Sequence, residues 1–288
     1  MRKPRIFANV TTMPLANRVK LSAQYGLRAI RAQGALPSFL LIGAQKAGTT
    51  SLFNYLCESP NIVPPLRKEV HFFDRFRLPS LSLYEPFFPE QAQDKGLITG
   101  EATPLYMFHP EVPDRIAKSG LNPKFIAILR CPMERAWSHY RHEKRKGREH
   151  LSFEEALRIE KERLRGTTDC VLDRKHLEQL QRHSYLSRGR YMEQLSRYFA
   201  LFGKESVHVV SLDKMTTHPR EVVASCSNFL GTAEPGPNAD YGVHNAGRDN
   251  TGMPEVDMTI FREAFDDDLR ALESVLPIAQ RWRARLHG

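Results

Sequence analysis

The 288-residue chain has only four cysteines, Cys57, Cys131, Cys170 and Cys226, and no two of them form a C-x-x-C pair. That spacing argues against the common zinc and dithiol motifs, and scattered thiols fit a reducing cytoplasm. Long apolar runs are missing too: none approaches the ~20 residues of a membrane span. The N-terminal MRKPRIFANVTTMPLANRVK has no continuous apolar stretch of the kind a secretory leader needs. No internal repeat or low-complexity tract is present. Acidic residues are absent from residues 1–35, which hold seven of the basic ones: Arg2, Lys3, Arg5, Arg18, Lys20, Arg28 and Arg31. The net charge is +9, so this arm accounts for most of it and the remaining residues carry only +2.

Within the arm, Leu15, Val19, Ala23, Leu27 and Ile30 recur at spacings of three and four, which predicts an amphipathic helix with basic flanks. The plainer reading is a helix packed on the domain, or a partly disordered leader. The sharper one is contact with a membrane surface or a polyanion. No nucleic-acid motif accompanies the charge, so no nucleic-acid partner is expected.

After Pro37 the text changes. SFLLIG (38–43) and KFIAILR (124–130) are short apolar runs of the kind that form buried parallel strands. VHVVSLDKM (207–215) reads as a third strand. Helical patterns alternate with them: TTSLFNYLCES (49–59), ERAWSHYRHEKRKGREH after Pro132, HPREVVASCSNFLG (218–231) closed by Gly231, and TIFREAFDDDLRALESVL (259–276) with one apolar stripe. The alternation predicts an α/β, P-loop-like three-layer fold, a central parallel sheet flanked by helices. The segment 141–190 is rich in both charge signs and reads as solvated helices, with a groove for an acidic acceptor as the secondary reading.

One loop carries the chemical question. IGAQKAGTTS (42–51) has the glycine spacing of G-x-x-x-x-G-K-[ST], with Gly43, Gly48 and Thr50 in place, but Thr49 stands where the lysine belongs and Lys46 lies three residues earlier. Strand, glycine loop and helix together make a phosphate cradle. Thr49 and Thr50 can donate to a 5′-phosphate at the helix start, and Lys46 can reach an oxygen bridging that phosphate to a transferred group. Magnesium chemistry would need an acid at a strand end, and the second strand ends in Arg130. That arginine, with Ser138 about two helical turns on, could hold a further phosphate. The bland alternatives are a strand-end salt bridge for Arg130 and a helix-surface serine for Ser138.

These residues resemble a family. LLIGAQKAGTTSLFNYL is similar to the 5′-phosphosulfate loop of sulfotransferases that use 3′-phosphoadenosine-5′-phosphosulfate (PAPS), and FIAILRCPMERAWSHY to their 3′-phosphate motif. KEVHFFD (68–74) resembles the motif of the glycosaminoglycan-type members, in which the glutamate is the general base. NAGRDN (245–250) resembles the loop that closes over the cofactor, and SYLSRGRYMEQLSRYF (184–199) the segment between. The likeness runs in order from about Ser38 to about Leu276 and points to a soluble bacterial relative with a basic arm at 1–35 and a sulfotransferase domain at 36–288. One departure is Ala102 in GEATP (100–104), where glycosaminoglycan members commonly carry a lysine that organises the acidic sugar.

The resemblance implies PAPS as co-substrate, bound by Lys46, Ala47, Gly48, Thr49, Thr50, Ser51, Arg130, Ser138, Tyr185, Gly247 and Arg248, with no metal. It implies Glu69 as base, Lys46 stabilising the leaving group, and His71 assisting. Glu69 and His71 are two residues apart, so an extended chain would put both on one face. The acceptor expected is a hydroxyl on a carbohydrate or glycoconjugate. A lipid or natural-product hydroxyl is the alternative, and a P-loop kinase or a non-catalytic binder of anionic lipid or nucleic acid the rivals from other classes. The expected location is cytoplasmic, with a peripheral membrane contact through 1–35.

Overall fold

The computed structural model describes residues 15–31, 34–75, 80–94, 96–165, 174–242 and 252–288. In chain order the regular elements are α1 (Leu15–Ile30), β1 (Phe39–Gly43), α2 (Thr49–Leu56), β2 (Gly100–Ala102), α3 (Leu105–Phe108), α4 (Val112–Lys118), β3 (Lys124–Leu129), α5 (Pro132–Arg145), α6 (Phe153–Arg158), α7 (Glu160–Arg163), α8 (Arg174–His183), α9 (Tyr191–Phe202), β4 (Val207–Ser211), α10 (Leu212–Thr217), α11 (Pro219–Leu230), α12 (Met258–Leu272) and α13 (Ala279–His287). The four strands form one sheet in the order β2-β1-β3-β4. Every neighbouring pair is parallel, with Leu41 opposite Ala102 and Ile126, and Ile128 opposite Val210.

Successive strand residues point to opposite faces, and the core divides accordingly. Phe39, Leu41, Ile126, Ile128 and Val210 pack with Leu52 and Phe53 of α2 and with Val222, Val223 and Cys226 of α11. Leu40, Ile42, Phe125, Ala127 and Leu129 face the other way, against Tyr106 of α3, Leu195 and Tyr198 of α9, and Phe261, Phe265 and Leu269 of α12. The expected three layers are therefore present. β1 is buried along its whole length and β3 everywhere but Lys124, which is why both read as unbroken apolar runs.

The expected third strand is shorter than 207–215. It stops at Ser211, whose hydroxyl accepts the Lys214 N–H and caps α10, so LDKM opens a helix. α11 ends at Gly231 in the left-handed conformation, as the glycine foretold. The arm's apolar period does form a helix, over Leu15–Ile30.

Candidate active site

β1 passes to α2 through the loop 44–48, at the C-terminal edge of the sheet, where parallel sheets bind their ligands. The Ala44 N–H donates to Ile128 O at 2.7 Å and ties the loop to β3. Lys46 and Gly48 both take positive φ, 69° and 90°. The φ of Gly48 is one that favours glycine, and a Cβ there would also crowd Leu212 Cδ1 and Met215 Cε at 2.9 Å. Gly48 caps α2 without any side-chain hydrogen bond. The positive end of the helix is thus offered to an anion rather than to a capping side chain. Ala47 is buried and its N–H closes the turn onto Ala44 O at 3.2 Å. Thr49 and Ser51 are buried at the helix start, and the Thr50 hydroxyl accepts from Lys68 Nζ at 2.9 Å.

Burial pushes the Lys46 ammonium down to about 8, and the charges of Arg145, Lys146 and Arg130 push the same way against the opposing Glu143. Burial and the cationic surroundings of Lys46 both favour a bound anion beside it. Arg130 leaves the end of β3 with its Nη1 3.5 Å from Lys46 O and its Nε 3.3 Å from Glu134 Oε2. Its guanidinium thus lies beside the loop and also makes the strand-end salt bridge with Glu134. Ser138 is half-buried on α5, and among the described residues no hydrogen bond links it to Arg130 or the loop. Tyr185 is fully buried and donates its hydroxyl to Glu149 Oε2 at 2.9 Å, so its side chain belongs to the core rather than to an open pocket. Gly247 and Arg248 lie outside the described residues.

The residue of the 184–199 segment that does reach the loop is Arg188, which sequence reasoning passed over. Its Nη1 donates to Gln45 Oε1 at 2.7 Å, and the guanidinium lies 4.8 Å from the centre of the Phe108 ring.

Glu69 stands beside the loop in a segment held from four sides. Lys68 O accepts the Ala102 N–H at 3.0 Å. The Val70 N–H donates to Glu101 Oε2 at 2.9 Å, and the Phe72 and Phe73 N–H groups share Tyr106 Oη. Arg115 Nη1 donates to Phe73 O at 2.8 Å, and Arg67 Nε to Glu69 O at 2.7 Å. Glu101 is fully buried on β2 and accepts from Tyr84, Thr103 and Tyr106 as well. Burial pushes the Glu101 carboxyl up, and these donors oppose it.

Within this frame His71 takes φ 58°, and with Lys46 it is the only non-glycine at positive φ among the described residues. Such backbone costs on the order of 1–3 kcal/mol and collects at functional sites. The turn corrects the expectation of an extended chain, since no strand spans 69–71. The ring still reaches Glu69: Nε2 is 3.5 Å from Glu69 Oε2, and Nδ1 is 2.7 Å from Oδ2 of the buried Asp74. Burial would lower the His71 pKa, but hydrogen bonds to Asp74 and Glu69 raise it to about 9. Burial likewise works against the Glu69 charge, and the His71 hydrogen bond and the Lys68 charge overcome it, holding the carboxyl down at about 2. Lys68 Nζ donates to Glu69 Oε1 at 3.1 Å while also holding Thr50. Lys68, Asp74 and Glu101 were not singled out from sequence. The first two lie with Glu69 inside KEVHFFD, and that proximity was the available signal. Among the described residues no group of three or more His, Cys, Asp or Glu could hold a metal ion.

A family model described as the sulfotransferase domain matches residues 36–242. The chain belongs to this family of PAPS-dependent sulfotransferases. It is similar to a sulfotransferase structure from Alicyclobacillus acidocaldarius, with 31% identity, a TM-score of 0.61, and coverage of 83% of this chain and 95% of that one. It is also similar to mouse heparan sulfate glucosamine 3-O-sulfotransferase 3B1, 30% identical over 196 residues, which are 68% of this chain and 46% of that protein. The bifunctional heparan sulfate N-deacetylase/N-sulfotransferase 1 of Caenorhabditis elegans is 28% identical over 69% of this chain and 22% of its own length. The chain thus spans less than half the length of these two curated relatives.

Proposed function

We infer that this chain transfers the sulfo group of PAPS to an acceptor hydroxyl by direct in-line displacement, with Glu69 as general base. One observation carries the reading: Lys68 Nζ bonds both Thr50 of the phosphate loop and the Glu69 carboxylate. Donor half and acceptor half therefore meet at a single ammonium. The loop fits a 5′-phosphosulfate by its uncapped helix start and by Lys46. Arg130 fits the 3′-phosphate; Ser138 and Arg248 keep the same assignment by resemblance, and Gly247 that of the loop closing over the cofactor.

In the reaction the acceptor oxygen bonds to sulfur as the sulfur–oxygen bond to the 5′-phosphate breaks. The electron pair leaves with the 3′,5′-bisphosphate, and the acceptor proton passes to Glu69. A carboxyl held near 2 is ionised throughout the working range but is a weak base. His71, charged and oriented by Asp74, keeps Glu69 ionised and aimed. Lys46 neutralises charge growing on the leaving oxygen in a preorganised site.

A carbohydrate acceptor is favoured by the KEVHFFD segment and by the heparan sulfate activities named for two of the relatives. A cytoplasmic setting is supported by the free thiols of Cys57, Cys131 and Cys226. The test is a screen of glycan, lipid and small-molecule hydroxyls with labelled PAPS, read as gain of one sulfo group. Glu69→Gln keeps the shape and should cut turnover by roughly 10²–10⁴-fold with donor affinity nearly unchanged. A variant that keeps more than about a tenth of its turnover would move the base elsewhere.

A further inference from the structure

The helix α1 shows two faces with different fates. Toward the domain, Tyr25 Oη donates to Leu83 O at 3.1 Å and its ring lies 4.7 Å from Phe87, while Arg28 Nη1 reaches Pro86 O at 3.5 Å. Leu21 is half-buried on that same face. At about 100° per residue, Leu15, Val19, Ala23, Leu27 and Ile30 fall on the opposite face, within roughly a third of the circumference. Nothing in the described chain covers them: Leu15 is 73% exposed, Val19 60%, Leu27 54% and Ile30 86%. They are four of the six exposed large hydrophobics among the described residues, and a fifth, Leu83, lies in the turn under Tyr25. Single exposed apolar residues need no explanation, but a stripe of them on one helix does.

The charge beside the stripe says what covers it. Arg18, Lys20 and Arg31 are exposed, and residues 1–35 contain no acidic residue to offset them. A second copy of α1 packed on the first would bring basic groups together with no counter-charge, which disfavours self-association. An apolar stripe with basic flanks suits the boundary between anionic headgroups and acyl chains. No described helix is long and apolar enough to cross a membrane, so α1 would lie in the surface.

The platform beneath α1 is also joined to the active site. Phe87 O accepts the Leu66 N–H at 2.8 Å, and the Arg67 guanidinium that holds Glu69 O lies 5.8 Å from the centre of the Phe87 ring. We propose that α1 is an interfacial helix that seats this chain on an anionic membrane surface through Leu15, Val19, Leu27 and Ile30, with Arg18, Lys20 and Arg31 at the headgroups.

The test is co-sedimentation of the full chain with vesicles of pure phosphatidylcholine and with vesicles carrying roughly one phosphatidylserine in three lipids. The expected result is binding to the anionic vesicles, weakened by salt. Val19→Asp with Ile30→Asp should lower it by at least about tenfold, because two charges replace the inserted side chains. Leu201→Asp, an exposed apolar site on α9, should leave it unchanged. Both sets of variants should keep the melting-temperature rise given by adenosine 3′,5′-bisphosphate, which shows the fold intact. Arg18→Gln with Lys20→Gln should bind less and lose part of the salt dependence. No partition of the wild-type chain into anionic vesicles would overturn the proposal, and so would equal binding by the double aspartate variant. A concentration-dependent dimer dispersed by the same variant, without vesicle binding, would assign the stripe to a second copy instead.

Discussion

Lys46 and Glu69 hold opposite charges that the site shifts in the same direction on the pH scale. Glu69 is pulled down to about 2, so its ionised form persists as pH falls well below neutrality. Lys46 is pushed down to about 8 by burial and by Arg145, Lys146 and Arg130, so its charged form is lost as pH rises through that value. The proposed reaction needs both charged. The profile of kcat/KM should therefore keep a plateau through neutral pH and fall along an alkaline limb near pH 8. In kcat the limb should move upward, because a bound dianion favours the ammonium. A limb in kcat/KM near 9 would instead follow His71. Part of this was legible in the residues. The displaced lysine after Gly43 and the Glu in KEVHFFD mark themselves by position. Asp74 does not, because its meeting with His71 depends on a left-handed turn that no periodicity announces. Tyr185 reads the same whether it faces a pocket or the core, and only packing against Glu149 decides.

Among the elements, β1 and β3 were readable because both faces are buried and the sequence is apolar throughout. β2 was not: it is three residues long, and its middle one is the buried Glu101. That carboxylate joins the sheet to the Glu69 segment through the Val70 N–H and gathers the hydroxyls of Tyr84, Thr103 and Tyr106. Glu101→Ala would leave an amide and three hydroxyls short of an acceptor. The expected loss is at least about 3 kcal/mol, since each stranded buried group costs roughly 1–3 kcal/mol. Urea unfolding should show the midpoint falling with the slope unchanged. A loss under about 1 kcal/mol would mean that Glu101 does not organise this region. The boundary between β4 and α10 escaped the sequence reading for a related reason: Ser211 ends an apolar strand by capping the next helix, and a serine after VHVV reads equally well as strand.

At the scale of the whole molecule, the sheet brings two separate stretches to one edge: the loop after β1 and the segment that returns beside β2. In the proposed reading the donor half rests on Lys46, the start of α2 and Arg130, and the arginine at the end of β3, where a magnesium enzyme would carry an acid, is what would distinguish a 3′,5′-bisphosphate from a triphosphate. The measurement that bears most directly on this is a pair of thermal scans, one with adenosine 3′,5′-bisphosphate and one with ATP and magnesium. A ligand at about 100 times its Kd adds about 2.7 kcal/mol to stability, a rise of several degrees for a domain of this size. The account predicts that rise with the bisphosphate and none with ATP and magnesium; equal stabilisation by the two would contradict it.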